Sequence, residues 1–239
     1  MKVTNGGDMK VDYIKQGDCT KLIKELPSKS IDVLFTSPPY NRKRNDTYRL
    51  FDDINDNYFD LLCLIADEGL RVVRDKVIIN IQQNFYNKED FYNFMGEYSK
   101  HITGMVVWCK TNPQPCNNYR EKDNTRSVTN AFEYFIFLTK SGSNFRSYGK
   151  DCVYNYVTSS INSQHSDIHG AIMKQEISDW FIERFTKEGD IVLDPFCGLG
   201  TTGVSCKKMN RHFIGFEIVK EYCIEAVKRI RKVKGDIWA

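Results

Sequence analysis

The stretch that most restricts the fold lies late in the chain. A short apolar run, Ile191 to Leu193, enters Asp194-Pro195-Phe196-Cys197-Gly198-Leu199-Gly200-Thr201-Thr202, and a second run, His212 to Glu217, closes on an acid. This reads as a strand, a glycine turn, a helix from about Thr201 to Met209, and a second strand. Gly198 and Gly200 let the backbone turn sharply and approach a ligand with no Cβ in the way. The helix start aims free N–H groups at the same spot, and Glu217 at the next strand end can accept from both hydroxyls of a ribose.

The same alternation runs through the rest of the chain. Strands are predicted at Tyr13 to Lys15, Ile31 to Thr36, Val77 to Ile81, Met105 to Cys109 and Ala131 to Thr139. Helices are predicted at Thr20 to Leu26 (capped by Thr20), Tyr58 to Val73, Phe85 to Lys100, Ile172 to Phe185 and Lys220 to Val233. The run IDVLFT scarcely alternates, as expected of a strand covered on both faces. The expected fold is a doubly wound, mostly parallel α/β sheet of the Rossmann type, in which ligands bind beyond the carboxyl ends of the strands. Residues 1–239 are read as one domain. Within it, 41–56 is a mobile loop, and the polar segments 111–129 and 140–165 are irregular.

Composition narrows the class. Of 239 residues, 41% are apolar, enough for a large core, and the net charge of +3 does not mark a uniformly basic chain. The eight cysteines contain no C-x-x-C pair, and the start MKVTNGGDMK is too polar for a secretory signal. Free thiols in a reducing cytoplasm are expected. His165 and His169 lack cysteine or carboxylate partners at zinc spacing, so no metal site is expected. No apolar run approaches the ~20 residues of a membrane span. The glycine turn lacks the lysine of a phosphate-binding loop and departs from G-x-G-x-x-G, which disfavours nucleoside triphosphates and NAD. Asp194 there would face a cationic amine, as in the amino-acid half of S-adenosylmethionine.

A second signal ends the IDVLFT strand: Ser37-Pro38-Pro39-Tyr40. Two prolines hold the chain extended and donate no N–H. The Ser37 hydroxyl and Pro38 carbonyl remain as acceptors, and Tyr40 offers an aromatic face, together a slot for a flat heterocycle bearing an NH₂ group. Such a nitrogen is a poor nucleophile because its lone pair is delocalised into the ring. Accepting hydrogen bonds from its hydrogens localises that pair for attack on a methyl donor, without a covalent enzyme intermediate.

These residues resemble the amino-methyltransferases of DNA, whose patterns are [D/N/S]-P-P-[Y/F/W] and D-P-F-x-G-x-G-T-T. The catalytic motif precedes the cofactor motif, as in the circularly permuted β group, and the resemblance spans roughly Tyr13 to Val233. It implies a seven-stranded sheet, S-adenosylmethionine as cofactor and double-stranded DNA as partner, with a homodimer and a cognate restriction endonuclease as further family expectations. It implies catalysis by Ser37, Pro38, Pro39 and Tyr40. The cofactor would be held by Asp18, Cys19, Ala171, Ile172, Asp194, Pro195, Phe196, Gly198, Gly200, Thr201, Thr202 and Glu217. Ser37 with Thr36 before it looks like the N4-cytosine enzymes; N6-adenine is the alternative, then an RNA methyltransferase or a non-catalytic binding protein. The target base must leave the duplex. Arg42, Lys43, Arg44 and Arg49 are expected to hold phosphates, and Gln114, Asn117, Asn118, Arg120, Lys122 and Arg126, with the Lys140 to Gln164 segment, to reach base edges as target-recognition stretches.

Overall fold

The computed structural model describes residues 9–43, 50–113, 119–142, 145–161 and 171–233. In chain order the elements are β1 (Tyr13–Gln16), α1 (Cys19–Glu25), β2 (Ile31–Thr36), α2 (Tyr58–Val72), β3 (Val73–Ile81), α3 (Lys88–Glu97) and β4 (Ile102–Lys110). A small hairpin of β5 (Tyr119–Arg120) and β6 (Thr125–Arg126) precedes β7 (Phe132–Leu138) and β8 (Tyr156–Ser159). The chain continues through α4 (Gln175–Phe185), β9 (Ile191–Asp194), α5 (Thr201–Lys208), β10 (His212–Glu217) and α6 (Lys220–Arg231).

The main sheet has the order β1-β10-β9-β2-β3-β7-β4-β8. It is parallel from β1 to β3, while β7 runs antiparallel to both its neighbours. Among the described residues the sheet therefore has eight strands rather than the seven expected. The addition is β8, parallel to β4 at the edge with Trp108 opposite Val157. It lies in the segment read as irregular, because four residues among Ser, Gly and Asn carry too short a pattern to register. Pairing with the β4 edge makes it a strand, and Trp108 Nε1 donates to Ser159 Oγ at 2.9 Å. The 111–129 segment likewise contains the β5–β6 hairpin. The N-cap of α1 is Asp18 rather than Thr20: Asp18 Oδ1 accepts from the Thr20 N–H and from its hydroxyl.

Both faces of the sheet are covered, which explains the unbroken apolar strands. On one face α1, α2 and α3 bring Ile23, Leu62, Ile65 and Phe94 onto Leu34, Ile79 and Ile136. On the other, α4, α5 and α6 bring Phe181, Phe185, Val204 and Ile230 onto Val33, Phe35, Ile78, Phe135 and Phe213. Within β2, Leu34 thus faces one layer while Val33 and Phe35 face the other. The ring of Phe181 stacks on Phe135 with centroids 3.9 Å apart.

Strands β9 and β2 lie side by side, yet the helices that follow them leave on opposite faces. A crevice opens at such a switch point beyond the strand ends, and the two sequence motifs end these two strands. Among the described residues no helix is long and apolar enough to cross a membrane.

Candidate active site

The motifs are joined directly. Thr36, the last residue of β2, donates its hydroxyl to Asp194 Oδ1 at 2.7 Å, across 158 residues of chain. Around this bond opens a cleft of about 740 Å³, whose walls include Asp18, Cys19, Ser37, Pro39, Tyr40, Ala171, Ile172, Asp194, Glu217 and the Pro195 to Leu199 turn. Pro38 is buried behind the wall.

In the glycine-turn half, Asp194 organises the loop. Oδ1 also accepts from the Phe196 N–H at 3.1 Å, and Oδ2 from the Thr202 hydroxyl at 2.6 Å. The carboxyl is buried, and burial pushes it up to about 6 despite these donors. Glu217 closes the far side, accepting from the Gly198 N–H and the Val219 N–H at 2.9 Å each. Burial raises it too, whereas the Thr20 hydroxyl holds Asp18 below the usual carboxylate range. The two glycines divide their work differently from the sequence expectation. Gly198 turns beside the cleft with φ of 49°. Gly200 does not line it; a Cβ there would lie 2.9 Å from Ala226 Cβ, so its lack of a side chain lets α6 approach.

This half suits a nucleoside that carries positive charge. Carboxylate oxygens keep lone pairs beyond the one or two used here, so Asp18, Asp194 and Glu217 can still accept. Phe196, Ile218 and Tyr222 add apolar wall for a flat ring. Acids flanking the turn would repel a phosphate. Burial pushes the Cys19 thiol up to about 12 and Cys197 well above the ordinary thiol range, so neither offers a thiolate nucleophile at neutral pH.

In the other half, Ser37 Oγ lies 2.9 Å from the Tyr40 hydroxyl and donates to Asn80 Oδ1 at 3.1 Å. The Tyr40 hydroxyl also reaches Asn80 Oδ1 at 2.5 Å and Glu133 Oε2 at 3.0 Å. Glu133 Oε1 pairs with Lys110 Nζ at 2.6 Å, and both side chains are about one-tenth exposed. The Tyr40 carbonyl accepts from the side-chain amides of Asn84 and Asn87 at 2.8 Å each. Sequence reasoning missed Asn80, Asn84, Asn87, Lys110 and Glu133. A signal existed for two of them. Asn80 sits in VIINI and Glu133 in AFEYFIFLT, and a polar or charged group inside an apolar strand needs a buried partner.

The residues expected to meet DNA are only partly outward. Arg42 lies at the cleft wall over the Tyr40 ring, 5.6 Å from its centroid, and donates to Gln82 Oε1. Lys43 pairs with Asp56 at 2.7 Å. The described ends of the 41–56 loop are tied together, because the Asn41 and Arg42 N–H groups both donate to the buried Asp53 carboxylate. Arg120 and Arg126 stand exposed on the β5–β6 hairpin, Arg126 over the Tyr119 ring, and Lys122 is in the turn between them. Arg44, Arg49, Gln114, Asn117, Asn118, His165 and His169 lie outside the described residues.

A doubly wound sheet with an acid-flanked glycine turn facing an S-P-P-Y slot defines a Rossmann-type group-transfer enzyme. The model of the DNA methylase family, which groups N6 and N4 methyltransferases, matches residues 31–228, and the chain belongs to that family. It is 29% identical over 269 residues to the type II methyltransferase M.HinfI of Haemophilus influenzae, covering 94% of this chain and 69% of the relative. It is 25% identical to M2.DpnII of Streptococcus pneumoniae, covering 89% of this chain and 87% of that one. Among solved structures, the PvuII cytosine-N4-specific DNA methyltransferase superposes with a TM-score of 0.73 at 19% identity, covering 92% of this chain and 87% of that one, a likeness of fold. The M1.HpyAVI complex with S-adenosylmethionine superposes with a TM-score of 0.63 at 26% identity, covering 91% and 98%.

Proposed function

We propose that this DNA methylase transfers a methyl group from S-adenosylmethionine to the exocyclic amino group of a base flipped out of duplex DNA, N4 of cytosine. The observation that carries the reading is the Thr36–Asp194 hydrogen bond, which sets the S-P-P-Y slot and the acid-flanked turn in one cleft. Asp194 and Glu217 would hold the amino-acid and ribose ends of the cofactor, with Asp18 beside them. When bound, the cofactor supplies an electrophilic methyl group on sulfur. Ser37 Oγ accepts from the target amino group and localises its lone pair, and Tyr40 positions the base. Holding both reactants in one cleft supplies the orientation that makes the transfer fast. The names of the two curated relatives support a place in a type II restriction–modification pair.

Cytosine is chosen on Ser37, the residue type that the resemblance associates with N4 enzymes. Nucleoside analysis of duplex DNA after reaction with methyl-labelled cofactor is expected to put label in N4-methylcytosine. Label in N6-methyladenine alone would overturn the choice of base and leave the enzyme class standing.

The β5–β6 hairpin is proposed to contact the phosphate backbone. Replacing Arg120 and Arg126 together by alanine is expected to weaken duplex affinity and flatten its dependence on log salt by roughly one unit per lost phosphate contact. Cofactor affinity should stay at the wild-type value. An unaltered salt slope would take the hairpin out of the DNA surface.

A further inference from the structure

The polar chain around Ser37 contains more groups than the proposed chemistry uses. We infer that Glu133, held by Lys110, is a positioning residue that keeps the Ser37 proton within the Ser37–Tyr40–Asn80–Glu133 network, so that the Ser37 oxygen is left to accept from the target amino group. The inference rests on the methyl-transfer reading above and assigns a role that reading leaves open.

The argument is a count of protons. Four close contacts join Ser37, Tyr40, Asn80 and Glu133. Asn80 Oδ1 and the Glu133 carboxylate, ion-paired with Lys110, only accept, so the four contacts share the two protons of the Ser37 and Tyr40 hydroxyls. Asn80 and Glu133 line the same cleft as Ser37 and Tyr40. A carboxylate attracts the phenol proton more strongly than a neutral acceptor does, so the Tyr40 proton is held toward Glu133 and Asn80. The Ser37 proton then goes into the network, to Asn80 Oδ1 or to the Tyr40 oxygen. What remains on the Ser37 oxygen is lone pair, the form needed to accept from an NH₂ group.

Lys110 makes this stable. Glu133 sits at the start of β7, opposite Trp108 on β4, and is buried. The Lys110 ammonium at 2.6 Å occupies Oε1, which leaves Oε2 for Tyr40. Glutamine at 133 would keep its carbonyl oxygen on Lys110 and turn its NH₂ toward the Tyr40 oxygen. The phenol proton would then be displaced onto Asn80 Oδ1, in competition with the Ser37 proton, or onto the Ser37 oxygen, where it takes up lone pair that the target amino group needs.

The test is a double-mutant cycle between Glu133→Gln and Tyr40→Phe, read by single-turnover methyl transfer to duplex DNA. In the wild-type background Glu133→Gln is expected to lower kcat roughly tenfold to a hundredfold, with the KM for DNA and the affinity for S-adenosylmethionine unchanged. In the Tyr40→Phe background it should cost almost nothing, because the link to Ser37 is already cut. A second readout needs no substrate. With ¹³Cζ-labelled tyrosine, the Tyr40 resonance is expected to move on Glu133→Gln. Equal losses in both backgrounds, or an unmoved resonance, overturn the proposal. Failure of the wild-type chain to methylate DNA while the resonance still moves overturns the function reading instead.

Discussion

Ser37→Ala is expected to cut the single-turnover rate of methyl transfer by roughly a hundredfold to a thousandfold, the range found when one preorganised hydrogen-bonding group at a reacting atom is removed. The fold should tolerate the change. Asn80 Oδ1 keeps the Tyr40 hydroxyl as a donor, at 2.5 Å, so no buried polar atom is orphaned. Cofactor affinity should also survive, because Asp194 and Glu217 hang from β9 and β10 while Ser37 follows β2. Calorimetric titration with S-adenosylmethionine beside the rate measurement separates the two effects. A rate within about threefold of wild type, a difference under 1 kcal/mol, would remove Ser37 from the catalytic account. Loss of cofactor binding would mean that the slot and the turn are not independent parts of the cleft.

The second large effect is expected at Asp194. Asp194→Ala strips the acceptor from the Thr36 hydroxyl, the Phe196 N–H and the Thr202 hydroxyl at once. Each buried donor left unmade costs on the order of 1–3 kcal/mol. Partial relaxation of the loop brings the expected total to about 3–5 kcal/mol, or roughly 10 °C in Tm for a chain of this size. Affinity for S-adenosylmethionine should fall with it, since the turn loses its fixed shape. A Tm within about 2 °C of wild type would show that Asp194 is not the organiser of the turn.

Asp194→Asn separates shape from charge. Burial raises the folded carboxyl to about 6, above the ~3.9 of an unfolded chain. The native state therefore binds this proton more tightly than the unfolded state does. The stability contributed by that preference is complete below about pH 4 and is lost as pH rises through about 6. Asparagine does not titrate. Relative to the Asn variant, the wild-type chain should lose up to about 3 kcal/mol between pH 4 and pH 7. Urea denaturation at both pH values measures it, and a constant difference would place the Asp194 titration outside that window.

Much of the fold was legible before any coordinates. IDVLFT, AFEYFIFLT and HFIGFE became β2, β7 and β10 because buried parallel or central strands need apolar side chains on both faces. The S-P-P-Y and glycine-turn segments announced themselves because each depends on local backbone properties, namely proline rigidity and glycine freedom. Strand β8 was not legible, since its four residues have strand geometry only through the neighbouring edge of β4. The inward turn of Arg42 and the pairing of Lys43 with Asp56 were equally hidden, because a charge run in a sequence carries no direction.

The sequence by itself determined the two chemical motifs, the alternation of strands and helices, and hence a doubly wound sheet with its functional residues at the carboxyl ends of strands. Only the tertiary structure decided that β9 and β2 lie side by side, so that Thr36 meets Asp194, and that Lys110, Glu133 and Asn80 converge around Tyr40. The physical reason is the range of the forces involved. Backbone preference and hydrophobic period act over a few residues and are written locally. The convergence of Asn80, Lys110 and Glu133 comes from strand order, and strand order is settled by burying both faces of the whole sheet at once.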